Sequence, residues 1–182
     1  STRDYAKHHV STKKINDHFG EGYHYEVTYT GNNLPVLVQS FYVYPTKDYV
    51  LTDFTLESTS EMASNYMAPV NVDRMPEVLN QGENNRALFI PFDNDCWIRY
   101  QSHPLTFTEL TSCEAMVIGS VEHDSWKTGI TIGKGNIYNV GSLVCYGGVA
   151  DKTTRDSKPH GALKGTTIKS PKILVGFFED WR

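Results

Sequence analysis

Three cysteines in 182 residues, Cys96, Cys113 and Cys145, are too few and too widely spaced to build a metal ribbon or a redox centre. No C-x-x-C pair occurs, which removes the zinc-ribbon and thioredoxin-type readings. The three read as free, mostly buried thiols. Long apolar runs are also missing: none approaches the roughly 20 residues that a bilayer-spanning helix needs, so no membrane partner is expected. Basic residues do not gather into a block. With 17 Lys and Arg against 21 Asp and Glu, and a net charge of −4, there is no phosphate track and no nucleic-acid partner is expected. The chain reads as soluble, with the compartment open between periplasm and cytoplasm. It lacks G-x-S-x-G and H-E-x-x-H, and "GKGNIYNVG" lacks the order of a phosphate-binding loop, so that stretch reads as a hairpin turn. No cofactor is expected.

What the chain does have is aromatic residues, 11 Tyr, 8 Phe and 3 Trp, in alternating patterns. In "YHYEVTYT", Tyr23, Tyr25, Val27 and Tyr29 take one face, and His24, Glu26, Thr28 and Thr30 the other. "VLVQSFYVY", "PTKD" and "YVLTDFTLES" read as a hairpin in which Leu37, Phe41 and Val43 match Val50, Phe54 and Leu56. "RALFIPF", "CWIRYQS", "EAMVIGSVEHD", "TGITIG", "SLVCYGGV" and "KILVGFF" supply further strands. The N-terminus, with His8 and His9, reads as frayed, residues 58–85 as loop-rich, and "DKTTRDSKPHGALKGTTIKS" as a polar connection. About nine or ten strands at such spacing, with no amphipathic helix longer than two turns, predict one all-β domain over residues 1–182, an antiparallel sandwich or barrel.

Few side chains look equipped for chemistry. "PFDNDCWIRY" sets Asp93, Asn94 and Asp95 in a row beside Trp97. A calcium loop opening this way needs a glycine at its sixth position and an acid at its twelfth, where this chain has Ile98 and Pro104. Paired catalytic carboxylates need about 5–10 Å between them and a cleft, whereas turns hold Asp and Asn for local hydrogen-bonding reasons alone. Between these lies a sugar-contacting edge, with oxygens for hydroxyls and Trp97 as a flat neighbour. In "VEHDSW", a strand would put Glu122 and Asp124 on one face and His123 on the other, so the trio cannot converge on an ion and reads as a solvated strand end. The same geometry splits the Glu122–His123 pair that a mutarotase-like epimerase would need as acid and base.

The phrases "LVQSFYVYPTKDYVLTDFTLES", "SNYMAPV", "LFIPFDNDCWIRY", "VIGSVEHDSWKTGI" and "SPKILVGFFEDWR" together resemble the N-terminal domain of glycoside hydrolase family 36-type enzymes, α-galactosidases and relatives of the Bacteroidetes type. The resemblance covers nearly the whole chain in order. It implies an antiparallel β-supersandwich, galactose mutarotase-like, preceding a (β/α)8 catalytic barrel that would begin after about residue 176. The start at Ser1 and the close on "FFEDWR" fit a mature or cropped product cut at that hand-over. The family's catalytic aspartates lie in the barrel, so no catalytic residue is carried over to this chain. The implied partners are the chain's own barrel, carbohydrate through the full-length enzyme, and a homo-oligomer, with Asp93, Asn94, Asp95 and Trp97 as the candidate sugar-contacting loop. The alternative from the residues themselves is a free-standing carbohydrate-binding module. It would need an exposed aromatic row, drawn from Tyr23, Tyr25 and Tyr29 or from Tyr42 and Tyr44.

Overall fold

A computed structural model describes residues 1–75, 115–122, 125–134, 140–148 and 162–179. Among these the chain forms ten strands: β1 (Lys7–Asp17), β2 (Gly20–Thr30), β3 (Val36–Val43), β4 (Tyr49–Ser64), β5 (Tyr66–Val72), β6 (Ala115–Ser120), β7 (Lys127–Lys134), β8 (Val140–Gly148), β9 (Leu163–Lys169) and β10 (Ile173–Phe178). Every pairing is antiparallel, and no α-helix occurs among the described residues. One sheet runs β1-β2-β3-β4-β10-β6 with β9 also on β4, and a second runs β5-β8-β7. The fold is an all-β sandwich, as the alternation predicts.

The registers show why alternation works. Leu37 faces Leu56 and Val43 faces Val50, while Phe41 and Phe54 sit opposite Thr52 and Gln39 on the same side. This inner face of the large sheet turns towards the small one: the Gln39 amide donates to the Pro69 carbonyl at 3.2 Å. Leu143 and Cys145 of β8 meet Ile173 of β10, and Val70, Met116, Ile118, Ile130 and Val175 pack around them. β8 ends on Gly147 and Gly148, and the first of these has a packing reason. A Cβ on Gly147 would lie 2.7 Å from the Trp126 ring and 2.8 Å from Pro171, so only glycine lets both approach.

The N-terminus is not frayed. His8 and His9 belong to β1, which pairs with β2 along its whole length, from Lys7 opposite Thr30 to Asp17 opposite Gly20. The Asp17 carboxylate accepts from the Phe19 amide at 2.9 Å, and Gly20 turns the hairpin at φ 117°, an angle that favours glycine. "HHVSTKKIND" hides this strand because it lies at the sheet edge and is exposed nearly throughout, so no buried residues impose a period. Lysines on such a strand discourage pairing with other chains.

Two other stretches also differ from expectation. Residues 58–85 read as loop-rich, yet β4 continues to Ser64 and β5 follows at once. The polar connection before the last strand contains β9, in which only Ile168 is fully buried. Proline and glycine, the usual breakers, are accommodated in both cases: Pro69 lies in a small-sheet edge strand at a register shift between Met67 and Val70, and Gly165 lies beside the register shift between Glu57 and Met62. The predicted strands "RALFIPF" and "CWIRYQS" lie outside the described residues.

Candidate functional site

Asp93, Asn94, Asp95 and Trp97 also lie outside the described residues. Among those described, titratable side chains concentrate on the outer face of the large sheet. Its rows follow from the registers: Lys13, His24 and Tyr42 stand abreast on β1, β2 and β3, and beside them Ser11, Glu26, Ser40 and Asp53 stand abreast on β1 to β4. Asp53 is buried, 1% exposed, in the middle of β4.

Two lysines reach it from a backbone crossing. β9 and β10 both pair with β4, β10 over its first part and β9 further along, and Ser170 and Pro171 join them. Ser170 holds this joint to β4: its amide donates to the Phe54 carbonyl at 2.8 Å, and its hydroxyl accepts from the Phe54 amide at 2.9 Å. The Trp126 indole donates to the Lys169 carbonyl at 2.8 Å. Lys169 and Lys172 flank the joint, each with Nζ 3.6 Å from Asp53 Oδ2. Both also reach Glu122 Oε1, at 3.5 and 3.7 Å. Glu122 is therefore not a plain solvated strand end; it closes a square of two carboxylates and two ammoniums.

Burial pushes the Asp53 carboxyl above its ordinary range, and Lys169 and Lys172 hold that rise back. On the β2 side, the His24 ring stacks on Tyr42 at 4.4 Å with 2° between planes. On the β10 side, Lys172 Nζ lies 4.3 Å from the Tyr42 ring centroid, a cation–π distance. Burial and the Asp53 charge push the Tyr42 phenol up to about 12. His24 is 6% exposed. Desolvation lowers its pKa despite Glu26, whose Oε1 lies 3.8 Å from Nε2, so the ring is neutral at pH 7.

Towards the hairpin end the outer face becomes aromatic. Tyr44 is buried and its hydroxyl donates to Asp17 Oδ2 at 2.8 Å. The rings of Phe19 and Tyr49 lie 5.8 and 6.2 Å from it. Gly22 makes room beneath: a Cβ there would come within 2.6 Å of the Val43 carbonyl oxygen and 2.7 Å of the Tyr44 ring.

This geometry sorts the aromatic rows. Tyr42 and Tyr44 are engaged in the fold and cannot form an exposed platform, whereas Tyr23 and Tyr25 are 37% and 36% exposed side by side. Among the described residues no three His, Cys, Asp or Glu side chains gather to hold a metal, and no helix is long and apolar enough to cross a membrane. Chemically, each carboxylate of the square faces both ammoniums. Acid–base glycoside chemistry instead needs one carboxyl protonated and its partner ionised. The square suits tying β4, the β9–β10 joint and the end of β6 together.

Comparison with protein-family models, curated proteins and solved structures finds no match to this chain.

Sequence reading missed Asp53, Lys169, Lys172, Tyr42 and His24 as a group. The available signal was "LTDFTL", an acid at an alternate position inside an otherwise strand-like run, with no partner near it in sequence.

Proposed function

We propose that this chain is a non-catalytic β-sandwich module of a family 36-type, α-galactosidase-like glycoside hydrolase. In this reading it has the galactose mutarotase-like supersandwich topology, braces a (β/α)8 catalytic barrel, and brings Asp93, Asn94, Asp95 and Trp97 to the rim of the sugar pocket. One observation supports it most: Asp53, Glu122, Lys169 and Lys172 pair with one another in a strut between strands. The resemblance of the quoted phrases gives the family, and the two-sheet antiparallel architecture is compatible with it.

The test is twofold. The 182-residue chain alone is expected to release no aryl alcohol from an aryl α-galactoside, and measurable turnover abolished by a point substitution in the chain would overturn the non-catalytic reading. The reading frame beyond Arg182 is expected to continue into alternating strands and helices for about 250 residues or more; a stop codon there would overturn the assignment to a hydrolase.

A further inference from the structure

At the hairpin end of β1 to β3, the inner face of the large sheet carries a groove of about 440 Å³ bounded by Lys14, Asn16, Glu21, Tyr23 and Pro45. The registers place its walls on one side of the sheet: Lys14 opposite Tyr23, Asn16 opposite Glu21, and Tyr23 opposite Val43, two residues before Pro45. Tyr25 lies next along β2 on the same face, just beyond the groove's lining. Its ring centroid lies 6.3 Å from that of Tyr23, with 38° between the planes. The volume is in the range of small-molecule sites, which pair apolar or aromatic surface with a few placed polar groups.

The chemistry of the walls selects the ligand. Tyr23 and Tyr25 offer two flat, exposed surfaces with polar tips, suited to ligands that present C–H faces beside hydroxyls. Lys14 contributes an ammonium, Glu21 a carboxylate, and Asn16 both a donor and an acceptor. The rim carries one charge of each sign, so an ionic ligand would meet a like charge as well as an opposite one. A neutral ligand rich in hydroxyls meets donors and acceptors only. We infer that this groove binds a neutral oligosaccharide, with Tyr23 and Tyr25 each stacking a pyranose ring and Lys14, Asn16 and Glu21 hydrogen-bonding its hydroxyls. The inference rests on the groove's own residues and stands or falls separately from the hydrolase reading.

The test titrates the full 182-residue chain, followed by amide NMR, with raffinose, maltohexaose and cellohexaose as neutral sugars and trigalacturonate as an anionic one. At least one neutral sugar is expected to bind with a Kd of roughly millimolar or tighter, shifting the amides of Lys14, Glu21, Tyr23 and Tyr25. Tyr23→Ala is expected to weaken that binding about tenfold. Tyr66→Ala, at a ring 51% exposed on β5, is expected to leave it unchanged. Should Tyr23→Ala fail to fold by circular dichroism, Lys14→Ala at an exposed edge position provides the same readout, with a loss of about threefold. The inference is overturned by no response to any neutral sugar at about 10 mM, by stronger binding of trigalacturonate, by shifts mapping away from the groove, or by affinity that both substitutions leave unaltered. Burial of the Tyr23–Tyr25 face in a dimer of this chain, seen as self-association abolished by Tyr25→Ala, would also overturn it.

Discussion

β1 and β4 belong to one sheet and are held in opposite ways. β1 has one neighbour, eleven paired residues and almost no buried side chain. β4 pairs with β3, β9 and β10, and its consecutive residues Leu51, Thr52 and Asp53 are all buried, at 0%, 5% and 1% exposure. Both faces of the sheet are therefore closed at that point. A strand buried on both sides cannot send its polar residues to water, so each needs a partner. Thr52 donates to the Ser40 carbonyl at 2.9 Å, and Asp53 takes two ammoniums. β1 needs few such arrangements because its side chains stay solvated, and its ladder secures it together with the Tyr44 bond to Asp17 at its end.

Substitutions should expose that contrast. Leu51→Ala is expected to cost about 3 kcal/mol by urea unfolding, the usual range for emptying a fully buried leucine position; a loss below about 1 kcal/mol would show that the outer face is open there. Lys172→Met should cost about 2 kcal/mol, because Asp53 loses one of two neutralising charges while buried, with the exposed end of Lys169 limiting the loss. Gly22→Ala should cost about as much as a core substitution, roughly 1–3 kcal/mol, since the added methyl meets backbone at Val43 as well as Tyr44. Lys13→Ala on β1, with Nζ 3.9 Å from Glu26 across an exposed pair, should change stability by less than about 0.5 kcal/mol.

Acid sharpens the same contrast. The folded pKa of His24 is depressed below its unfolded value of 6.5, so the unfolded chain takes up the proton first. Its contribution is fully present above pH 6.5 and is lost as pH falls through the folded pKa. Asp53 has the opposite sign: its raised carboxyl pKa favours the fold below 3.8, the unfolded value, and that advantage fades as pH rises. The unfolded chain takes up the His24 proton between pH 7.5 and 5, so wild type is expected to lose stability over that range that His24→Gln does not, compared by unfolding at both pH values. Equal losses in the two proteins would mean that His24 is not the titrating group.

The smallest structural demand concerns Cys145, whose thiol burial pushes up to about 12. Peptide mapping after brief iodoacetamide treatment at pH 8 should show Cys145 unmodified in the folded protein and alkylated in urea.

Much of the inner face was legible because alternation there records burial directly. The matching of Leu37 and Val43 with Leu56 and Val50 could be read from "VLVQSFYVY" and "YVLTDFTLES" before any register was known. β1 and β9 were not legible, since exposed edge and outer residues carry no apolar period, and β1 is defined by backbone bonds that every residue can make. The ion square was not legible either. Asp53 and Lys172 lie 119 positions apart in the numbering, and only the sharing of β4 by β9 and β10 brings them to 3.6 Å.

Composition and period two by themselves determined an all-β chain, the two-sided character of β2 to β4, and the lack of a cysteine metal motif. These are local properties, set by which side chains alternate. The tertiary structure alone decided which tyrosines remain exposed and which charges are buried. Exposure depends on what packs across a face, and neutralisation depends on which distant strand lies beside an acid. Neither is written in the neighbours along the chain.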